Sequence, residues 1–174
     1  MQEYIGVKIV YAAPMTRGEY NEYRHWTLPA DENADDPGYL IEYPSEPGQK
    51  SNHPPHDGYV SWCPKDVFET HNRPTDGMTF GMAIEAAKLG HKISRRGWNG
   101  HDMFVVYMPE MHLPPYNCQE PGKKVNDRTA KFIGPDAPLD CQPYFAMYNA
   151  QRQWIPGWLA SQSDMLADDW YIVE

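Results

Sequence analysis

The chain has 174 residues, with 15 Lys and Arg against 24 Asp and Glu and a formal net charge of −9. Affinity for a long polyanion comes from many Lys and Arg contacts, so no nucleic-acid polymer is expected as a partner. No run approaches the roughly 18 apolar residues of a spanning helix, and Met1-Gln2-Glu3-Tyr4 lacks the order of a secretion signal, so no membrane contact is expected and the cytoplasm is the expected location.

In chain order, Tyr4 to Ala12 alternates β-branched and aromatic residues and predicts a strand. Thr16 with Glu19 forms a capping box that opens a short helix over Arg17 to Arg24. Residues 27–49 are rich in Pro, Asp, Asn and Gly, interrupted by a strand at Tyr39 to Tyr43. Tyr59 to Trp62 predicts another strand, and Pro64, suited to a first helical turn, precedes a helix over Lys65 to His71. Asn72 to Gly77 reads as a linker.

Thr79 is a fitting cap for a helix whose Phe80, Ala83, Ile84 and Ala87 share one face and which Gly90 stops. His91 to Arg96 and Met103 to Met108 then predict a hairpin. Asn99-Gly100, the preferred pair for a two-residue type I′ turn, places Trp98 opposite His101 at its tip. Residues 109–142 hold six prolines and read as one long irregular excursion. Tyr144 to Tyr148 predicts a strand with Trp154-Ile155 as its partner. Ser161 and Asp164 form a capping signature, and Trp170 to Val173 closes as a strand.

Cys63, Cys118 and Cys141 have no C-x-x-C spacing and read as reduced thiols. His53-Pro54-Pro55-His56-Asp57 has metal-ligating residue types, but the prolines fix an extended path, and it reads as a solvated turn with no metal expected. Asp35-Asp36 and Asp168-Asp169 are neighbours that a strand aims at opposite faces, which suits no acid/base dyad. No catalytic residues and no cofactor are expected.

The more informative constellation is Arg95-Arg96-Gly97-Trp98-Asn99-Gly100 together with Trp154 to Gln162. Each puts an indole at a glycine-flanked turn, where one ring face stays open. An exposed indole stacks on a nucleobase, and Arg forks onto phosphate oxygens. Asn99, Ser161, Gln162 and Asp164 carry groups that read ribose hydroxyls or a base edge. That set suits a small anionic nucleotide; the alternative is that the tryptophans fill the core while Arg95 and Arg96 edge a solvated strand. Arg24, His25, Trp26 and Thr27 repeat the chemistry, with the competing reading of a helix C-terminus whose Trp covers the core.

The stretch TFGMAIEAAKLGHKISRRGWNGHDMFVVYM and its return through PYFAMYNAQRQWIPGWLASQSDMLADDWYIVE resemble the Thoeris anti-defence 2 family of phage and prophage proteins. TRGEYNEYRHWTLPADE and GYVSWCPKDVFE resemble an amino-terminal extension carried by some phage members. The resemblance implies an α+β fold, a helix packed on an antiparallel sheet. It divides the chain into an α/β extension over 1–75 and a core over 76–174, with the 109–142 stretch as an insertion. It further implies a homotetramer that sequesters glycocyclic ADP-ribose without catalysis. A cyclic dinucleotide is implied as a second ligand at a separate site. By position Trp98, Asn99 and Trp158 match the family's ligand-binding segments, and Phe80 lines the same cleft. A hydrolase of the same signal and a protein-interaction module without a nucleotide remain the competing functions.

Overall fold

The computed structural model describes residues 1–3, 5–45 and 50–174. They form two compact units, Met1–Pro74 and Thr75–Glu174. Each is mixed α+β, with helices beside antiparallel strands.

The first unit contains β1 (Tyr11–Pro14), α1 (Arg17–Tyr23), β2 (Gly38–Tyr43), β3 (Tyr59–Pro64) and α2 (Lys65–His71), with the sheet in the order β1-β2-β3. The strand expected from Tyr4 begins only at Tyr11, and Tyr4 itself lies outside the described residues. Tyr11 pairs with Glu42, and continuing that register would set Ile9 against Pro44. Proline has no N–H to donate, so the ladder stops while the sequence still favours a strand. Pro64 ends β3 and caps α2 instead of entering its first turn. Of the loop expected over 27–49, residues 46–49 lie outside the described residues.

At the start of α1 the Thr16 hydroxyl accepts from the Glu19 N–H at 3.2 Å, and the Glu19 carboxylate accepts from the Thr16 N–H at 2.7 Å. At its end the Trp26 N–H donates to the Asn21 carbonyl at 2.8 Å and the His25 N–H to the Glu22 carbonyl at 2.9 Å. This paired closure requires a left-handed residue, and His25 supplies it at φ 56°. An L side chain there costs about 1–2 kcal/mol, and glycine's extra unfolded-state freedom takes back roughly 0.5–1 kcal/mol. His25→Gly should therefore raise the stability of this unit by up to about 1 kcal/mol in urea unfolding. A loss of stability would show that the imidazole makes a compensating contact.

The second unit holds α3 (Phe80–Lys88), β4 (Lys92–Arg95), β5 (Phe104–Met108), β6 (Met111–Leu113), α4 (Asp127–Ile133), β7 (Leu139–Cys141), β8 (Tyr144–Tyr148), β9 (Trp154–Pro156), α5 (Gln162–Met165) and β10 (Trp170–Val173). Five strands form one antiparallel sheet in the order β10-β4-β5-β8-β9, and β6 pairs with β7 apart from it. Thr79 caps α3, and Gly90 ends it at φ 98°. The helix lies on β4, β5 and β10 through buried Ala83, Ala86 and Ala87. Their small side chains let it approach closely enough to enclose Ile93, Val105, Met147 and Trp170. Phe80 and Ile84, expected on the same face, are only half-buried.

The Asn99-Gly100 turn does not form as expected. A type I′ turn needs positive φ at both central residues, and between Arg95 and Phe104 the only positive φ is Asp102, at 58°. The connection is a longer loop, pinned where the Ser94 hydroxyl donates to the Met103 carbonyl at 2.7 Å. Gly100 is needed for space: a Cβ there would sit 2.8 Å from the Ala150 Cβ, which cannot swing away, as well as against the Met103 side chain. The 109–142 stretch is also more regular than its prolines suggest, since β6, α4 and β7 fall within it and Asn126 caps α4.

Candidate functional site

Folding of the second unit gathers Trp98, Trp158 and Trp170. Trp98 follows β4, Trp158 follows β9 and Trp170 opens β10, so the register of the sheet and the return of the chain bring them together. Their ring centroids lie 5.3 Å apart for Trp98 and Trp170, 6.0 Å for Trp98 and Trp158, and 6.3 Å for Trp158 and Trp170, all edge to face. Trp170 is fully buried, whereas Trp98 and Trp158 remain half-exposed. Phe80 backs the group, 5.3 Å from Trp170. One buried indole thus forms a floor beneath two whose outer surfaces reach solvent, an arrangement that fits both the stacking reading and the core reading of these residues.

The polar groups around the indoles are committed to one another. Asp164, buried, accepts at Oδ1 from Trp98 Nε1 at 2.9 Å and from Arg95 Nη1 at 2.8 Å. Its Oδ2 accepts from the Ser161 N–H at 2.9 Å and the Ser161 hydroxyl at 2.6 Å, and its backbone carbonyl accepts from Trp170 Nε1 at 2.9 Å. The four bonds to its side-chain oxygens fill the acceptor positions of a carboxylate. Arg95 also donates through Nε to Asp169 at 2.7 Å and through Nη1 to the Ser163 carbonyl at 3.0 Å, while the other oxygen of Asp169 accepts from the Gly97 N–H at 2.7 Å.

Burial pushes the Asp164 carboxyl upward, but bonds from Ser161, Trp98 and Arg95 outweigh it and bring the group to about 2. Asp169 is likewise held below the usual carboxylate range, chiefly by Arg95. Arg95, expected to fork onto phosphate, instead forks onto two carboxylates. Asp164, expected to read a ligand hydroxyl, has no acceptor position left for one.

Arg96, Asn99 and Gln162 are exposed. Arg96 reaches the Asp76 carbonyl at 3.2 Å and the Asp76 carboxylate at 3.4 Å, an ion pair with both side chains largely exposed and open to exchange for another anion, and lies 5.4 Å over the Tyr171 ring. No described residue takes the side-chain amides of Asn99 and Gln162. Trp170 and Asp169 are the members that sequence reasoning missed. The signal was available in principle: pairing the last strand antiparallel to the Arg95 strand puts Trp170 opposite Arg95.

The Arg24 to Thr27 segment is assembled differently. Arg24 lies 4.4 Å over the Trp26 ring and donates to the Asn52 carbonyl at 3.2 Å, the Val60 carbonyl at 3.5 Å and the Tyr20 hydroxyl at 3.2 Å. The guanidinium is spent inside the unit, and Trp26 keeps 53% of its surface exposed. His25 and Thr27 are exposed. His56, of the two-histidine turn, joins Glu42 at 2.7 Å and the Tyr23 hydroxyl at 2.8 Å, which ties the turn to β2 and α1. Elsewhere in this unit a cavity of about 470 Å³ is lined by Arg17, Glu32, Asp36, Trp62, Lys65 and Asp66, together with two prolines. Its two cations face three carboxylates and Arg17 is already paired with Glu32, so it favours no anion, and the tryptophan group remains the stronger candidate.

Among the described residues no group of three or more His, Cys, Asp or Glu is placed to hold a metal ion, and no helix is long and apolar enough to cross a membrane. Residues 78–173 match the family model of the Thoeris anti-defense 2-like domain. Thoeris anti-defense 2 of Bacillus phage SP01 is 31% identical over 96 residues, which are 55% of this chain and 94% of the phage protein. The chain therefore belongs to the Thoeris anti-defence 2 family, and the matched residues contain the whole tryptophan group.

Proposed function

We propose that this member of the family blocks a bacterial anti-phage defence by holding the signal nucleotide glycocyclic ADP-ribose, unaltered, against Trp98 and Trp158 in the cytoplasm of the infected host. The observation that carries the reading is the pair of half-exposed indoles over a buried third. Stacking on a base is worth about 1–3 kcal/mol per aromatic ring, and a floor that cannot move keeps two such rings in place. Arg96 supplies the positive charge for a pyrophosphate, and the Asn99 and Gln162 amides supply donors and acceptors for ribose and base. Phe80 contributes from below.

The site's chemistry favours holding over turnover. A general acid or base needs a proton affinity near neutrality and a free position. Asp164 and Asp169 are both held below the ordinary carboxylate range and already bonded. A cyclic dinucleotide at the Arg24 to Thr27 surface would have to draw Arg24 away from three internal acceptors. The proposal is therefore confined to the Trp98 surface.

Self-association, as a homotetramer, belongs to the same reading. The edge strand β9 exposes Trp154 and Ile155, and Leu159 and Leu166 beside the indoles are 87% and 80% exposed. A second copy placed there covers apolar surface and walls the nucleotide.

Calorimetric titration with glycocyclic ADP-ribose should give saturable binding, and denaturing the loaded protein should return the nucleotide intact. Recovery of a cleaved product would make the protein a hydrolase, and absence of binding would leave a protein-interaction role. Light scattering at micromolar concentration should show an oligomer; a monomer would remove the shared wall.

A further inference from the structure

Trp98 is held by more than ring packing. Its indole N–H is fixed by Asp164 Oδ1, the same oxygen that takes Arg95 Nη1, while Arg95 Nε is fixed in turn by Asp169. The backbone carbonyl of Asp164 takes the Trp170 indole N–H. One residue thus fastens the floor and one wall of the aromatic group, through two different atoms. Positions 95 and 170 are already tied by the pairing of β4 with β10, and Asp164 fastens the 161–164 segment, with the Trp98 side chain, to that pair.

We propose that Asp164, braced by Arg95, is a positioning residue that fixes the Trp98 indole with its open face toward the ligand and itself touches no ligand. This rests on the reading of Trp98 as a stacking partner. A ring already immobilised before binding loses less rotational freedom on complex formation, so the bond shows itself as ligand affinity. The carboxylate suits the task because its bonds to a charged guanidinium and to an indole N–H are short and directional. Trp158 has no comparable anchor among the described residues beyond its ring contacts and a backbone bond to Phe145. The effect should therefore be specific to Trp98.

The test uses the full chain labelled with 5-fluorotryptophan, the Trp98 fluorine resonance being assigned from its loss in Trp98→Phe. In Asp164→Asn the Trp98 line should shift and broaden while those of Trp26 and Trp154 stay in place. The dissociation constant for glycocyclic ADP-ribose should rise about tenfold, the scale of losing one charge-assisted hydrogen bond that orders a side chain. In the Trp98→Phe background, where no indole N–H remains to hold, the same change should add less than about twofold, since coupled sites are non-additive. Arg95→Lys keeps the charge but loses the fork, and provides a second variant should Asp164→Asn fail to fold. It should move the Trp98 line in the same direction and weaken binding about threefold.

An unmoved Trp98 resonance in these variants overturns the proposal. So does an undiminished tenfold loss in the Trp98→Phe background, which would place Asp164 on the ligand itself. Should wild type bind no cyclic ADP-ribose, the functional reading fails on its own, and the fluorine spectra still decide whether Asp164 orients Trp98.

Discussion

Trp98→Ala and Trp158→Ala should each weaken binding of glycocyclic ADP-ribose by about 1–3 kcal/mol, roughly 5-fold to 150-fold in the dissociation constant. The two variants differ in what else they remove. Trp158→Ala deletes a half-exposed ring with edge contacts to the other two indoles, so its cost should fall on the ligand. Trp98→Ala also takes a donor from Asp164 and one of the two nearest ring neighbours from buried Trp170, at 5.3 Å. Some loss of stability should accompany it, of the order of 1 kcal/mol for an aromatic pair. The fold should survive, because Trp170 retains its bond to the Asp164 carbonyl and its place under α3. Titration of both variants, with near-ultraviolet dichroism to confirm folding, checks this. Unchanged affinity in a folded Trp158→Ala would take that ring out of the site, and collapse of Trp98→Ala would make Trp98 a core residue first.

The difference between the legible and the hidden parts follows from the range of the interactions. Caps were legible because they close within three residues: Thr16 with Glu19, Thr79 with Met82, and Ser161 with Asp164 all form as their spacing demands. Strand pairs joined by short connections, such as β8 with β9, were legible for the same reason. The end of β1 was hidden because its partner strand runs into a proline far along the chain. The turn at Asn99-Gly100 was misread because Met103 and Ala150 crowd Gly100, so that space and not φ selects the glycine. At the site, residue types were legible and roles were not. Arg95 looks in sequence like a phosphate fork; only the fold brings Asp164 and Asp169, some seventy positions away, within hydrogen-bond distance of it. A guanidinium takes the nearest fixed carboxylates, since that pairing needs no ligand.

Acid should loosen the second unit in a defined window, and Asp164→Asn should reveal which group is responsible. The Asp164 carboxyl falls from an ordinary 3.8 to about 2 in the folded chain. Between those values the unfolded chain binds more protons than the folded one, so stability rises with pH there. The contribution is complete above about pH 4, fades as pH falls and is gone below about pH 2. Its size is about 2–3 kcal/mol, from a shift of nearly two pH units at about 1.4 kcal/mol each. A protonated Asp164 resembles an asparagine in shape and charge, and neither balances Arg95. At pH 7 the Asp164→Asn chain should therefore be about 2–3 kcal/mol less stable than wild type in urea unfolding followed by tryptophan fluorescence. That gap should close as pH falls from about 4 to about 2. Asp169, also depressed, shares Arg95 with Asp164, so its titration is separated by comparing the same two chains in an Asp169→Asn background. A gap that stays constant across this window would mean that the ionised carboxylate contributes nothing to holding the indoles, and that Asp164 acts there through its size and backbone alone.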